Sequence, residues 1–134
     1  SPAHSGFGVR LGTRAHPTRS CSGRVLLAFD DAAQLERTLA SVKIPPAEVK
    51  ELQARLTLIR ERGYEIRPSV RSMGVTDISY PIFGFDGRIR AALTMPFLTV
   101  IDGSHQPDIE HARQHVERAA RKISNSLGWY ENNS

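Results

Sequence analysis

Two apolar runs near the middle of the chain, Ile78–Phe83 and Ile89–Met95, are separated by polar residues and an Asp86-Gly87 pair. Short apolar runs bounded by turn residues predict strands. Asp-Gly favours a tight hairpin, because glycine takes positive φ without a Cβ clash. Upstream, Val49, Leu52, Leu56 and Ile59 recur every three or four positions, which predicts an amphipathic helix over 46–62. Pro45-Pro46 breaks the chain before it, Glu48 suits its positive end and Gly63 closes it. Tyr64–Arg67 follows as a short strand.

The flanks are read the same way. Phe7–Leu11 is a short strand candidate, and His16-Pro17 ends whatever precedes it. Arg24–Phe29 is good for helix, with Ser20 or Ser22 able to cap it by accepting a backbone N–H. Asp30-Asp31 starts a second helical stretch that carries Ala32, Leu35, Leu39 and Val42. After the hairpin, Pro96–Ser104 reads as a loop. Pro107 opens a last helix to about Leu127, with Ile109, Ala112, Val116, Ala119, Ala120, Ile123 and Leu127 in one stripe. Gly128 closes it. The pattern as a whole mixes strands and helices, with helices that cover the hairpin.

Composition narrows this little. A length of 134 residues predicts a single domain over 1–134, and 40% apolar with 24% charged residues is ordinary for a globular protein. No apolar run reaches membrane-spanning length, so no membrane contact is expected. A single cysteine, Cys21, excludes an internal disulfide and fits a reducing compartment. The net charge of +4 is unevenly placed: residues 1–29 hold Arg10, Arg14, Arg19 and Arg24 and no Asp or Glu. Such an end suits an anionic ligand, a nucleic-acid backbone or an acidic partner surface, or is a solvated face. No helix-turn-helix pair, zinc finger or aromatic stacking strand is visible, so this chain offers no DNA reader of its own.

Three constellations have chemistry in reach. His111 and His115 lie four apart on the last helix, beside His105, Asp108 and Glu110. Their face is opposite the apolar stripe and lacks the H-E-x-x-H glutamate, so a polar helix face outweighs a metal site. Cys21, at a helix start, is either a lowered-pKa thiolate with His16 as base or a small packed residue. Arg67, Asp77 and Thr94 fall at strand ends. They could gather at one end or face of the sheet as a ligand site, or Arg67 and Asp77 could simply pair.

The order of short motifs carries more than any one of them. G-x-R-x-H-P-(x)5-G-R-V-L-L-A-F begins at Gly12, E-R-G-Y ends at Tyr64, and G-V-x-x-I-S-x-P-I-F spans 74–83. D-G-R-I-x-A-A-L-T follows at 86–94 and A-A-R-x-I-S-x-x-L-G at 119–128. This succession resembles the effector-binding domain of IclR-family transcriptional regulators, from about Gly12 to Gly128. The resemblance implies an α/β (α+β) fold, a GAF/profilin-like antiparallel sheet flanked by helices, here lacking its first strands. It also implies a winged helix-turn-helix DNA-binding domain that is absent from this chain.

By the same resemblance the protein is a cytoplasmic, non-enzymatic sensor with no cofactor. It takes a small effector, a carboxylate or an aromatic acid, and changes operator binding through a homodimer or homotetramer. The implied pocket is lined by Ser20, Cys21, Ser22, Arg67, Asp77, Thr94 and Pro96. Arg67 and Asp77 depart from the pattern in charge, and Pro96 lacks a hydroxyl, so the ligand does not carry over. The rival readings are a GAF-like thiol sensor or enzyme using Cys21, and a pure oligomerisation module.

Overall fold

The computed structural model describes residues 17–98 and 108–131. Helix α1 (Cys21–Ala28) is capped by Ser20, whose hydroxyl accepts from the Gly23 N–H at 3.0 Å. A Cβ at Gly23 would sit 2.5 Å from the Pro17 carbonyl oxygen, so the cap folds back onto a residue with no side chain. Helix α2 (Ala32–Ser41) is capped by Asp31, which accepts from the Gln34 N–H at 2.8 Å. Helix α3 (Pro46–Arg62) has the bounds the proline and glycine signals predict, and Gly63 ends it at φ 93°.

Strands β1 (Glu65–Pro68), β2 (Val75–Phe83) and β3 (Ile89–Leu98) form an antiparallel sheet in the order β1-β2-β3. β2 begins three residues earlier than the apolar run suggested, because Thr76 and Asp77 join the ladder opposite Pro68 and Arg67. β3 runs on through Pro96, which therefore does not open a loop. A residue without an N–H is tolerated there because β3, among the described residues, is an edge strand with only β2 beside it. The hairpin connection covers 84–88, with Gly87 at φ 78° and the Gly87 N–H bonded to the Gly84 carbonyl at 2.9 Å.

Helix α4 (Ile109–Ser126) starts at an Asp108 cap rather than at Pro107. Its buried residues are Val116, Ala120 and Ser124, whereas Ala119, Ile123 and Leu127 are exposed. The buried stripe is thus rotated from the predicted one. Ser124 takes an inward position because its hydroxyl accepts the Phe83 N–H at 3.0 Å, so the polar group is satisfied. The predicted Phe7–Leu11 strand, and the loop and helix start between 99 and 107, lie outside the described residues.

Two apolar clusters hold the layers together. On one side of the sheet, Ile78, Tyr80 and Ile82 pack with Val116 and Ala120 of α4. On the other, Val25, Leu27 and Ala28 of α1 pack with Leu52, Leu56 and Ile59 of α3. α1 touches all three strands, so it lies across that sheet face, with α3 outside it.

Glu65, fully buried at the start of β1, ties these layers electrostatically. Arg55 and Arg62 of α3 reach its carboxylate at 2.6 and 2.7 Å. A buried carboxylate is costly unless paired and bonded. Replacing Arg55 and Arg62 together by Leu should therefore cost about 3–5 kcal/mol in urea denaturation, and adding Glu65→Leu should recover much of it. A double-variant loss below about 1 kcal/mol would show that the cluster does not hold α3 to the sheet.

Candidate functional site

Side chains alternate across a strand, so the register sorts the sheet into two unlike faces. Glu65 pairs with Ser79, and Ser79 with Thr94. Arg67 pairs with Asp77, and Asp77 with Pro96. All six share the face that α1 covers, while Ile66, Ile78, Tyr80 and Met95 point to α4. One face of the sheet is apolar; the other sets these polar groups among apolar Val75, Pro81 and Ala92, and α1 lies across it.

Most of these polar groups have partners. The Ser79 and Thr94 hydroxyls are 2.9 Å apart. The Cys21 thiol donates at 3.4 Å to the carbonyls of both Glu65 and Asp77, which seats the start of α1 over the β1–β2 junction. Ser20 is buried and spends its oxygen on the helix cap, Ser22 is half-buried, and Pro96 is exposed. Half-buried Asp77 has its carboxyl pushed above its usual value by desolvation, opposed by the charge of Arg71. The ion pair that Arg67 and Asp77 could have made does not form, although their Cα positions are directly opposed.

Arg67 is the exception. Its Nε is buried and has no hydrogen-bond partner. Its side chain lines a cavity of about 280 Å³ between α1, α3 and the end of β1, with Thr18, Arg19, Arg24, Glu48 and Glu51. Arg24 is fixed there by Nε donation to the Thr18 carbonyl at 2.9 Å. The structure therefore brings Cys21, Asp77, Thr94 and Pro96 to one face together with Arg67, whose guanidinium turns to the α3 side. Glu65, Ser79 and Arg24 were not singled out from the sequence. Glu65 and Ser79 are recoverable from period two along strands already holding Arg67 and Asp77.

The two histidines sit on the exposed side of α4, with Nε2 atoms 3.0 Å apart. Among the described residues, no group of three or more His, Cys, Asp or Glu side chains is placed to hold a metal ion. No helix among those residues is long and apolar enough to cross a membrane.

Residues 4–125 match the family described as bacterial transcriptional regulator IclR C-terminal. The chain belongs to the IclR family of bacterial transcriptional regulators, in the part that forms their C-terminal domain. It is similar to the HTH-type transcriptional regulator KdgR of Dickeya chrysanthemi, 28% identical over 128 residues. That match covers 91% of this chain but only 41% of the relative, so the chain spans less than half of that regulator.

Among solved structures, the C-terminal domain of E. coli KdgR aligns with a TM-score of 0.70 at 26% identity, covering 88% of this chain and 74% of that one. An IclR homologue from Microbacterium hydrocarbonoxydans, complexed with 4-hydroxybenzoate, shares the fold. Its TM-score is 0.73 at 23% identity, over 92% of this chain and 52% of that one.

Cys21 is not a reactive thiolate. Burial, then the charges of Glu65 and Asp77, push its thiol up to about 12 from 9.0. A folded value raised above the unfolded one means that the thiolate is suppressed in the native state, and that stability falls as pH rises from 9.0 toward 12. At pH 8, iodoacetamide should alkylate Cys21 about a thousand-fold more slowly in the folded protein than in urea. Equal rates, followed by mass spectrometry, would contradict this.

Proposed function

We propose that this chain is the effector-sensing domain of a DNA-binding transcriptional regulator. It binds a small carboxylate or aromatic acid between α1 and the polar sheet face. DNA is read by a winged helix-turn-helix domain outside this chain, in a cytoplasmic homodimer or homotetramer. The domain catalyses nothing. Occupancy favours one arrangement of the protomers and so alters operator affinity, as any ligand with unequal affinity for two states must.

The observation that carries the reading is the set Glu65, Arg67, Asp77, Ser79 and Thr94 on one covered face, with the buried Nε of Arg67 unpartnered. Desolvation of Asp77 fits the same picture, since groups poised for a ligand are held at some cost to stability. The named regulators among the relatives support the DNA-linked role, and the 4-hydroxybenzoate complex of a structural neighbour supports the ligand class. The raised Cys21 thiol weighs against a thiol sensor or enzyme.

Heat-denaturation scans against millimolar carboxylates and aromatic acids, 4-hydroxybenzoate included, test the proposal. At least one acid should raise the midpoint, by about 2.7 kcal/mol of added stability at a hundred-fold excess over Kd. Arg67→Ala should remove that gain while changing the ligand-free midpoint less. If no acid raises the midpoint, the domain is an oligomerisation module and the sensing reading fails.

A further inference from the structure

The cavity between α1, α3 and the end of β1 holds two guanidinium groups, Arg24 and Arg67, and its charges do not balance. Burial, and next the charge of Arg67, lower the proton affinity of Arg24, so the two cations feel one another. Arg19 and Glu48 approach to 3.9 Å at the exposed rim and offset each other. That leaves Glu51 as the one carboxylate lining the cavity against Arg24 and Arg67. The contrast with Glu65 on the same sheet face is direct: that carboxylate has two arginines, while Arg67 has no carboxylate within ion-pair distance among the described residues.

Like charges held around a space call for an anion. The two terminal nitrogens of an arginine form a planar fork that matches two oxygens of a carboxylate or phosphate. Arg24 has its Nε tethered to Thr18, which leaves its terminal nitrogens for the cavity. A volume of about 280 Å³ suits a small oxyanion with its waters, or the acidic end of a longer molecule.

We propose that Arg24 and Arg67 form an oxyanion site in this cavity, Arg67 gripping a carboxylate or phosphate group as a fork and Arg24 closing on it from α1. The site deepens the sensing proposal, and rests on it only for the statement that the anion belongs to the effector. Because Arg24 is on α1 and Arg67 on β1, an anion between them would couple the position of that helix to the sheet.

Calorimetric titration of the chain with inorganic phosphate and, separately, with malonate in a low-chloride buffer tests this and distinguishes the two anion classes. At least one should bind saturably. Arg24→Gln and Arg67→Gln should each weaken it at least about tenfold, and Arg67→Lys should weaken it nearly as much, because an ammonium is no fork. Arg24→Lys, which keeps the charge, guards against a folding defect and should retain most of the affinity. Arg37→Gln, on exposed α2, should change nothing. Failure of both anions to bind, or unchanged affinity in both glutamine variants, would overturn the site. An acid that raises the melting midpoint equally in wild type and both glutamine variants would overturn it too, while leaving sensing intact.

Discussion

A three-stranded sheet with one oily face and, on the other, buried polar groups set among apolar ones is the constraint from which the rest follows. Covering the oily face needs only α4 and its Val116–Ala120 stripe. Covering the polar face demands a partner for every buried donor and acceptor, because an orphaned polar group costs about 1–3 kcal/mol. The chain meets the demand with the Arg55–Glu65–Arg62 cluster, the Ser79–Thr94 hydroxyl pair and the Cys21 thiol on two strand carbonyls. The arginine cluster also fixes where α3 lies, and the Cys21 contacts fix the start of α1. The helix that carries the apolar cluster is thereby held over polar ground.

Arg67 stands apart on this face: among the described residues its Nε has no hydrogen-bond partner, whereas Glu65, Ser79 and Thr94 beside it are paired. Cys21 belongs to the opposite category: it is fully engaged, its thiol is hard to ionise, and it serves as a spacer between α1 and the sheet.

The parts of the fold legible in the sequence were those with punctuation. α3 was readable to the residue because Pro45, Pro46 and Gly63 bracket a clean apolar period. The β2–β3 hairpin was readable from its apolar runs, but its true length was not. Thr76, Asp77 and Pro96 are strand residues whose polarity or missing N–H disguises them, since the face they occupy is polar and the edge they occupy tolerates proline. On α4 the stripe was misplaced because a serine bonded to the Phe83 N–H is invisible to a hydrophobicity count.

For the site, the strand-end positions of Arg67, Asp77 and Thr94 suggested one shared end or face, while Pro96 entered only through the family resemblance. Those positions did not reveal that Arg67 faces Arg24 instead of Asp77, because that depends on how α1 and α3 dock. The family resemblance carried the fold and the placement of the Cys21 turn. The charges at Arg67 and Asp77 are this chain's own departure from that resemblance.

The most direct test of a polar face kept open for a ligand is the arginine Nε–H region of a proton–nitrogen NMR spectrum, recorded with and without inorganic phosphate. The Arg67 resonance, assigned by its disappearance in Arg67→Lys, should shift on addition, while those of Arg55 and Arg62, already bonded to Glu65, stay in place. A stationary Arg67 signal alongside moving Arg55 and Arg62 signals would contradict the account.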